Sequence, residues 1–84
     1  MKQGEEISRG DQAKHVLNNA IFIEAMMILR GQAMEAFQKT KFDQNEERNE
    51  IWRQLNTIDW LERQLKSVME TGKLAEATPK PNQD

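Results

Sequence analysis

Residues 20–29, in which Glu24 is the only charged side chain, limit the folds that this chain can adopt. Its apolar side chains recur with helical spacing, which predicts an α-helix. At 100° per residue they point to nearly every side of that helix. A surface helix needs only one apolar stripe, whereas a helix that is apolar nearly all round must be buried from several directions. A single neighbouring helix cannot bury this segment.

Two long helices account for most of the chain. Helix A, predicted over about 8–40, carries an apolar seam with alternating spacings of three and four residues, typical of helices that pack side by side. Helix B, predicted over about 43–72, carries one broad apolar face. The seam of helix A comprises Ala13, Val16, Ala20, Ile23, Met27, Met34 and Phe37, and the face of helix B comprises Ile51, Leu55, Ile58, Leu61, Leu65, Val68 and Met69.

The predicted boundaries rest on capping residues. Asp43 and Glu46 have the spacing of a capping box at the start of helix B, and Gly72 is expected to end it in a left-handed conformation. Residues 1–7 are predicted to be a polar arm. The polar, proline-containing residues 75–84 are predicted to be a flexible tail.

The expected fold is therefore all-α, with two long antiparallel helices in a hairpin. A hairpin of about 60 ordered residues buries little apolar surface and usually needs additional stabilisation. The chain of 84 residues has no Cys and one His, so neither a disulfide nor a metal site built on Cys or His is expected. We therefore expect a homo-oligomeric helix bundle, at least a dimer, of which a four-helix bundle is the simplest form.

Composition argues against several classes of function. The net charge of −2 provides no basic excess for binding nucleic acid. No apolar run is long enough for a signal peptide or a membrane span, so neither is expected. The single His15 has no Ser or Thr nucleophile at helical spacing. We expect no catalytic, cofactor-binding or metal-binding residues and no enzymatic activity.

Arg30 interrupts the apolar seam of helix A. Its stem could pack while the charged head reaches solvent, or a partly buried guanidinium could fix the register between subunits. With a turn near residue 42, Arg30 is level with residues 52–55. A pair with Glu62 in the same hairpin is then about 12 Å out of register. Glu50 is nearer in the same chain, and Glu62 could meet Arg30 across a subunit interface.

Three further residues are candidates for interaction. Ile21 and Ile28 lie on the side of helix A away from the seam, where an oligomer would bury them. Trp60 lies roughly opposite the apolar face of helix B, and exposed aromatic side chains are common anchors of protein interfaces. Trp52, by contrast, lies at the edge of that apolar face, so we expect it to contribute to stability.

The pattern of helix ends and spacings over residues 9–75 resembles small helical proteins of tailed bacteriophages, often encoded in or near the virion-protein gene cluster. The residues that carry the resemblance are Arg9, Gly10, Ala13, Leu17, Ile23–Glu24–Ala25, Thr40, Asp43, Glu47–Arg48, Glu50, Trp52, Ile58, Leu65 and Thr71–Gly72–Lys73–Leu74–Ala75. The resemblance implies a phage origin and a role in virion assembly or host interaction. It places the protein in the virion or the host cytoplasm.

Three functions follow as hypotheses. The first is a non-enzymatic phage protein that acts by contact with itself and with a virion or host protein. The second is an anti-defence protein that blocks a host protein or sequesters a small nucleotide signal, with anion contacts from Arg9, Lys14, Arg30 or Lys73. The third is a nucleic-acid-binding bundle that uses a local stripe of Arg48, Arg53, Arg63 and Lys66.

Overall fold

The computed structural model describes residues 2–79, and these residues form three α-helices. They are α1 (Lys2–Leu17), α2 (Ala20–Lys39) and α3 (Asn45–Ala77). The helices α1 and α2 follow one another along α3, which runs antiparallel to both, and the molecule measures 67 × 25 × 15 Å. The prediction of an all-α fold is confirmed. The prediction of a two-helix hairpin is wrong, because predicted helix A is divided in two.

The division falls at Asn18 and Asn19. Asn19 has extended backbone angles, and its side-chain oxygen accepts a hydrogen bond of 2.9 Å from the backbone N–H of Phe22. Asn is among the most favourable residues at this N-cap position, because its side chain satisfies a backbone donor that the helix leaves free. The apolar spacing continues across the break, so periodicity alone did not reveal it.

The predicted polar arm is wrong for residues 2–7, which belong to α1. The side-chain amide of Gln3 donates to the carbonyl oxygen of Ala75 at 2.6 Å and to that of Thr78 at 3.2 Å. These bonds tie the start of α1 to the end of α3, and α3 continues to Ala77. The first residues of the predicted tail are therefore helical, and residues 80–84 lie outside the described part of the chain.

The closest approach between helices is a contact of two glycines. A Cβ atom built on Gly10 of α1 would lie 2.8 Å from the Cα atom of Gly72 in α3, and one built on Gly72 would lie 2.8 Å from the carbonyl oxygen of Glu6. Only glycine permits this backbone-to-backbone contact. The prediction that Gly72 ends helix B is wrong, because Gly72 lies inside α3 and is buried against α1.

The core is small. Its buried apolar side chains are Ala13, Met26, Ala33, Ile51 and Ala75. Within residues 2–79, no large side chain is completely removed from solvent. Because α1 packs on α3 far more extensively than α2 does, most of the tertiary contact lies in one half of the molecule.

The helix α2 is turned relative to the prediction. Its side toward α3 carries Met26 and Ala33, which are buried, whereas Ile23, Met27 and Met34 of the predicted seam are exposed. The two sides differ by about 80° at 100° per residue. Because α2 is apolar on several sides, the sequence pattern did not indicate which side faces α3.

The connection between α2 and α3 is closed by side chains. The Thr40 hydroxyl donates to the Phe37 carbonyl at 2.6 Å and accepts from Nε of Arg48 at 2.9 Å. The Arg48 guanidinium also lies 4.7 Å from the centre of the Phe37 ring. Gln44, rather than the predicted Asp43, precedes α3, and its side-chain oxygen accepts from the backbone N–H of Lys41 at 2.6 Å. The predicted capping box is therefore not formed.

The glycine contact predicts opposite effects for two Gly→Ala substitutions in α1. Gly10→Ala should lower the free energy of unfolding by about 1–3 kcal/mol, because the methyl group forces the helices apart. Gly4→Ala, where an added Cβ meets nothing within 4 Å, should leave it unchanged or raise it by up to about 1 kcal/mol through helix propensity. Denaturant unfolding at one protein concentration measures both, and stabilisation by both substitutions would contradict the close contact.

Candidate functional site

The most unusual surface of the molecule is an apolar one on α2. It consists of two stripes: one with Ile23, Met27 and Met34 and one with Ile21 and Ile28, all exposed. Gly31 lies between the stripes, and we call this whole surface the α2 outer face. Ile21 is 70% and Met27 66% exposed. Large apolar patches on a soluble protein usually mark a contact surface.

Charged groups on α2 are few and are confined to specific places. Arg30 forms an ion pair with Glu62 of α3, and Lys39 contacts Glu35 of the same helix at 3.1 Å. Glu24 is in none of the ion pairs formed within residues 2–79. On the α2 outer face, Glu24 therefore lies on one side of Gly31 along the helix, and the Glu35–Lys39 pair lies on the other.

Arg30 joins α2 to α3. Its Nη2 atom lies 2.9 Å from Oε1 of Glu62 and 3.3 Å from Oδ1 of Asp59. The side chains of Arg30 and Glu62 are 34% and 31% exposed, so the pair is partly shielded from water. Two carboxylates on successive turns of α3 thus hold one guanidinium. Arg30 therefore pairs within its own chain, where the contact can fix the register of α2 against α3.

The predicted mismatch of about 12 Å between Arg30 and Glu62 is therefore wrong. In a helix each side chain leans toward the N-terminus of its own helix. Because α2 and α3 are antiparallel, Arg30 and Glu62 lean toward one another, which brings their charged groups closer than their backbone levels suggest. The estimate of about 12 Å compared only the heights of the two backbones along the helices and left out the direction of the side chains. Glu50, the alternative in the same chain, instead pairs with Arg53 at 2.7 Å.

The tryptophans lie on the outside of α3. Trp60 is 63% exposed on the side away from α1 and α2, as its predicted position requires. Trp52 was expected at the edge of the core, but it is 60% exposed and lies outside the core. Whether Trp60, Ile21 and Ile28 contact other molecules stays a prediction.

The basic residues considered for anion binding are dispersed or neutralised. Lys14 and Lys73 line one groove of about 100 Å³ at the glycine contact, but Asp11 and Glu76 line it as well. Arg9 lines a separate open groove with Glu5, and Arg30 already contacts two carboxylates. In the predicted nucleic-acid stripe, Arg48 and Arg53 are held by the contacts described above.

The described part of the chain provides neither a membrane-spanning helix nor a metal site. None of its helices combines the length and the apolar content that crossing a bilayer requires. Residues 2–79 also hold no group of three His or acidic side chains placed to bind a metal ion. The chain matches no protein-family model, no curated protein sequence and no solved structure.

The Arg30–Glu62 pair should contribute measurably to stability. A double-mutant cycle with Arg30→Ala and Glu62→Ala should give a coupling energy of about 1 kcal/mol, because the pair is partly buried and Asp59 supports it. The matched control is the Glu50–Arg53 pair on α3, whose side chains are 59% and 70% exposed and which should give below about 0.5 kcal/mol. Equal coupling energies in the two cycles would contradict a role for Arg30 in fixing the helix register.

Proposed function

We propose that this protein is a non-enzymatic protein of a tailed bacteriophage that acts by protein–protein contact, as an oligomer of at least two copies. Its role would lie in virion assembly or in host interaction. The observation that carries the proposal is the apolar surface left exposed on α2. The phage origin rests on the resemblance in helix ends and spacing over residues 9–75.

A single chain leaves much of the apolar surface of α2 exposed to solvent. Burying a large apolar side chain contributes about 1.5–3 kcal/mol, and α2 leaves at least five such side chains exposed. Natural domains have free energies of unfolding of only about 5–15 kcal/mol. The free energy available from burying the exposed side chains of α2 is therefore a large fraction of the stability of a domain. Because these side chains are only 44–70% exposed, association would recover about half of that contribution. Self-association is favoured because it needs no other component.

The outer side of α3 supplies a second surface. Trp60 lies there, away from the α2 outer face, so both surfaces can be occupied at once. A large exposed aromatic side chain suits the centre of a protein interface, because it buries much area with few rotatable bonds. We propose that Trp60 anchors a virion or host protein on the assembled oligomer. Finding the protein in purified virions would favour assembly over host interaction.

Self-association is tested by Ile28→Asp. If a second chain covers Ile28, the substitution places an unpaired charge in an apolar interface, at a cost of several kcal/mol. Sedimentation equilibrium should show at least a dimer for the wild type and dissociation or unfolding for the variant. The control is Gln64→Asp on α3, which should change neither. A stable, folded wild-type monomer at 100 µM, or an Ile28→Asp variant with unchanged mass and melting temperature, would contradict the proposal.

The role of Trp60 is tested against Trp52, an equally exposed residue of the same helix. Neither Trp60→Ala nor Trp52→Ala should change the free energy of unfolding by more than about 1 kcal/mol, because both side chains face solvent. In the phage, Trp60→Ala should reduce plaque yield at normal levels of folded protein. Trp52→Ala should not. Equal yields for both variants and the wild type would contradict an anchoring role for Trp60.

A further inference from the structure

We infer that the α2 outer face is covered by α2 of a second copy, packed antiparallel about a two-fold axis near Gly31. This inference rests on the proposed self-association and adds its geometry. In such a dimer each α2 lies between its own α3 and the α2 of the other copy. That position accounts for a helix that is apolar on nearly all sides.

Gly31 lies where a second helix would cross α2. A Cβ atom built there would meet nothing within 4 Å, so no contact within the chain explains a glycine in the middle of α2. Gly31 lies midway between the two exposed apolar stripes, where the axis of a second helix would pass. Glycine allows helix backbones to approach closely, and the contact of Gly10 with Gly72 shows such an approach in this chain.

The α2 outer face carries charges of opposite sign on the two sides of Gly31. Glu24 lies about two helical turns before Gly31 and Lys39 about two turns after it. In an antiparallel pair centred on Gly31, Glu24 of each copy is therefore level with Lys39 of the other, on the same side of the axis. Lys39 also contacts Glu35 of its own helix, so each Lys39 would lie between two carboxylates. A parallel pair would instead place Glu24 beside Glu24 and Lys39 beside Lys39. The charge pattern favours the antiparallel arrangement.

The antiparallel register centred on Gly31 also brings exposed apolar side chains of the two copies together. Met27 of one copy lies level with Met34 of the other, across the side of the axis opposite Glu24. Phe42, 90% exposed in the connection after α2, falls near the level of Ala20 and Ile21 of the second copy. Thioether side chains are flexible and fill irregular gaps, which suits a close crossing at Gly31.

Two charge reversals test this register. Glu24→Lys and Lys39→Glu each place like charges together at both ends of the dimer, so each variant alone should dimerise on the order of tenfold more weakly than the wild type at low salt. An equimolar mixture of the two variants restores an opposite-charge pair at both ends. Sedimentation equilibrium should therefore show a heterodimer close to wild-type affinity. The difference should vanish at about 1 M salt, where exposed charges are screened.

A second variant does not depend on the end charges. Gly31→Lys should increase the helical signal in circular dichroism, since Lys has a higher helix propensity than Gly, yet weaken dimerisation at least tenfold by placing two positive charges at the axis. If the wild type dimerises but all three variants match its affinity, the interface lies elsewhere and only the present inference fails. If the wild type is monomeric, the proposed self-association itself fails.

Discussion

The contact of Gly10 with Gly72 determines how α1 packs on α3, and the position of α2 follows from that packing. It allows α1 to lie against α3 at backbone distance, so small side chains such as Ala13 and Ala75 complete the contact. Once α1 is fixed along α3, the break at Asn19 sets where α2 begins, and Arg30 of α2 reaches Glu62. A methyl group at either glycine would separate the helices and shift these later contacts.

The two halves of the molecule are stabilised differently. Around the glycine contact, α1 packs extensively on α3 within one chain. In the other half α2 contacts α3 through few buried side chains and an ion pair, while most of its apolar surface faces solvent. A helix that is apolar on nearly all sides is typically a buried one. The exposed surface of α2 is therefore the strongest indication of what the protein does.

The sequence allowed the helical class and the apolar excess of residues 20–29 to be predicted, because both follow from local periodicity. The glycine contact could not be predicted, since it joins residues 62 positions apart, although Gly10–Ala13 and Gly72–Ala75 share a spacing of small residues. The side of α2 that meets α3 was undetermined because several sides are apolar. The reach of Arg30 toward Glu62 depends on side-chain direction, which backbone register omits.

Amide hydrogen exchange at two protein concentrations shows directly whether a second chain covers α2. Burial by another copy predicts that protection in residues 20–39 rises with concentration, and rises more than in residues 2–17, which pack within one chain. Protection of residues 20–39 that is the same at 1 µM and 100 µM would contradict the account. A concentration effect confined to residues 2–17 would contradict it as well.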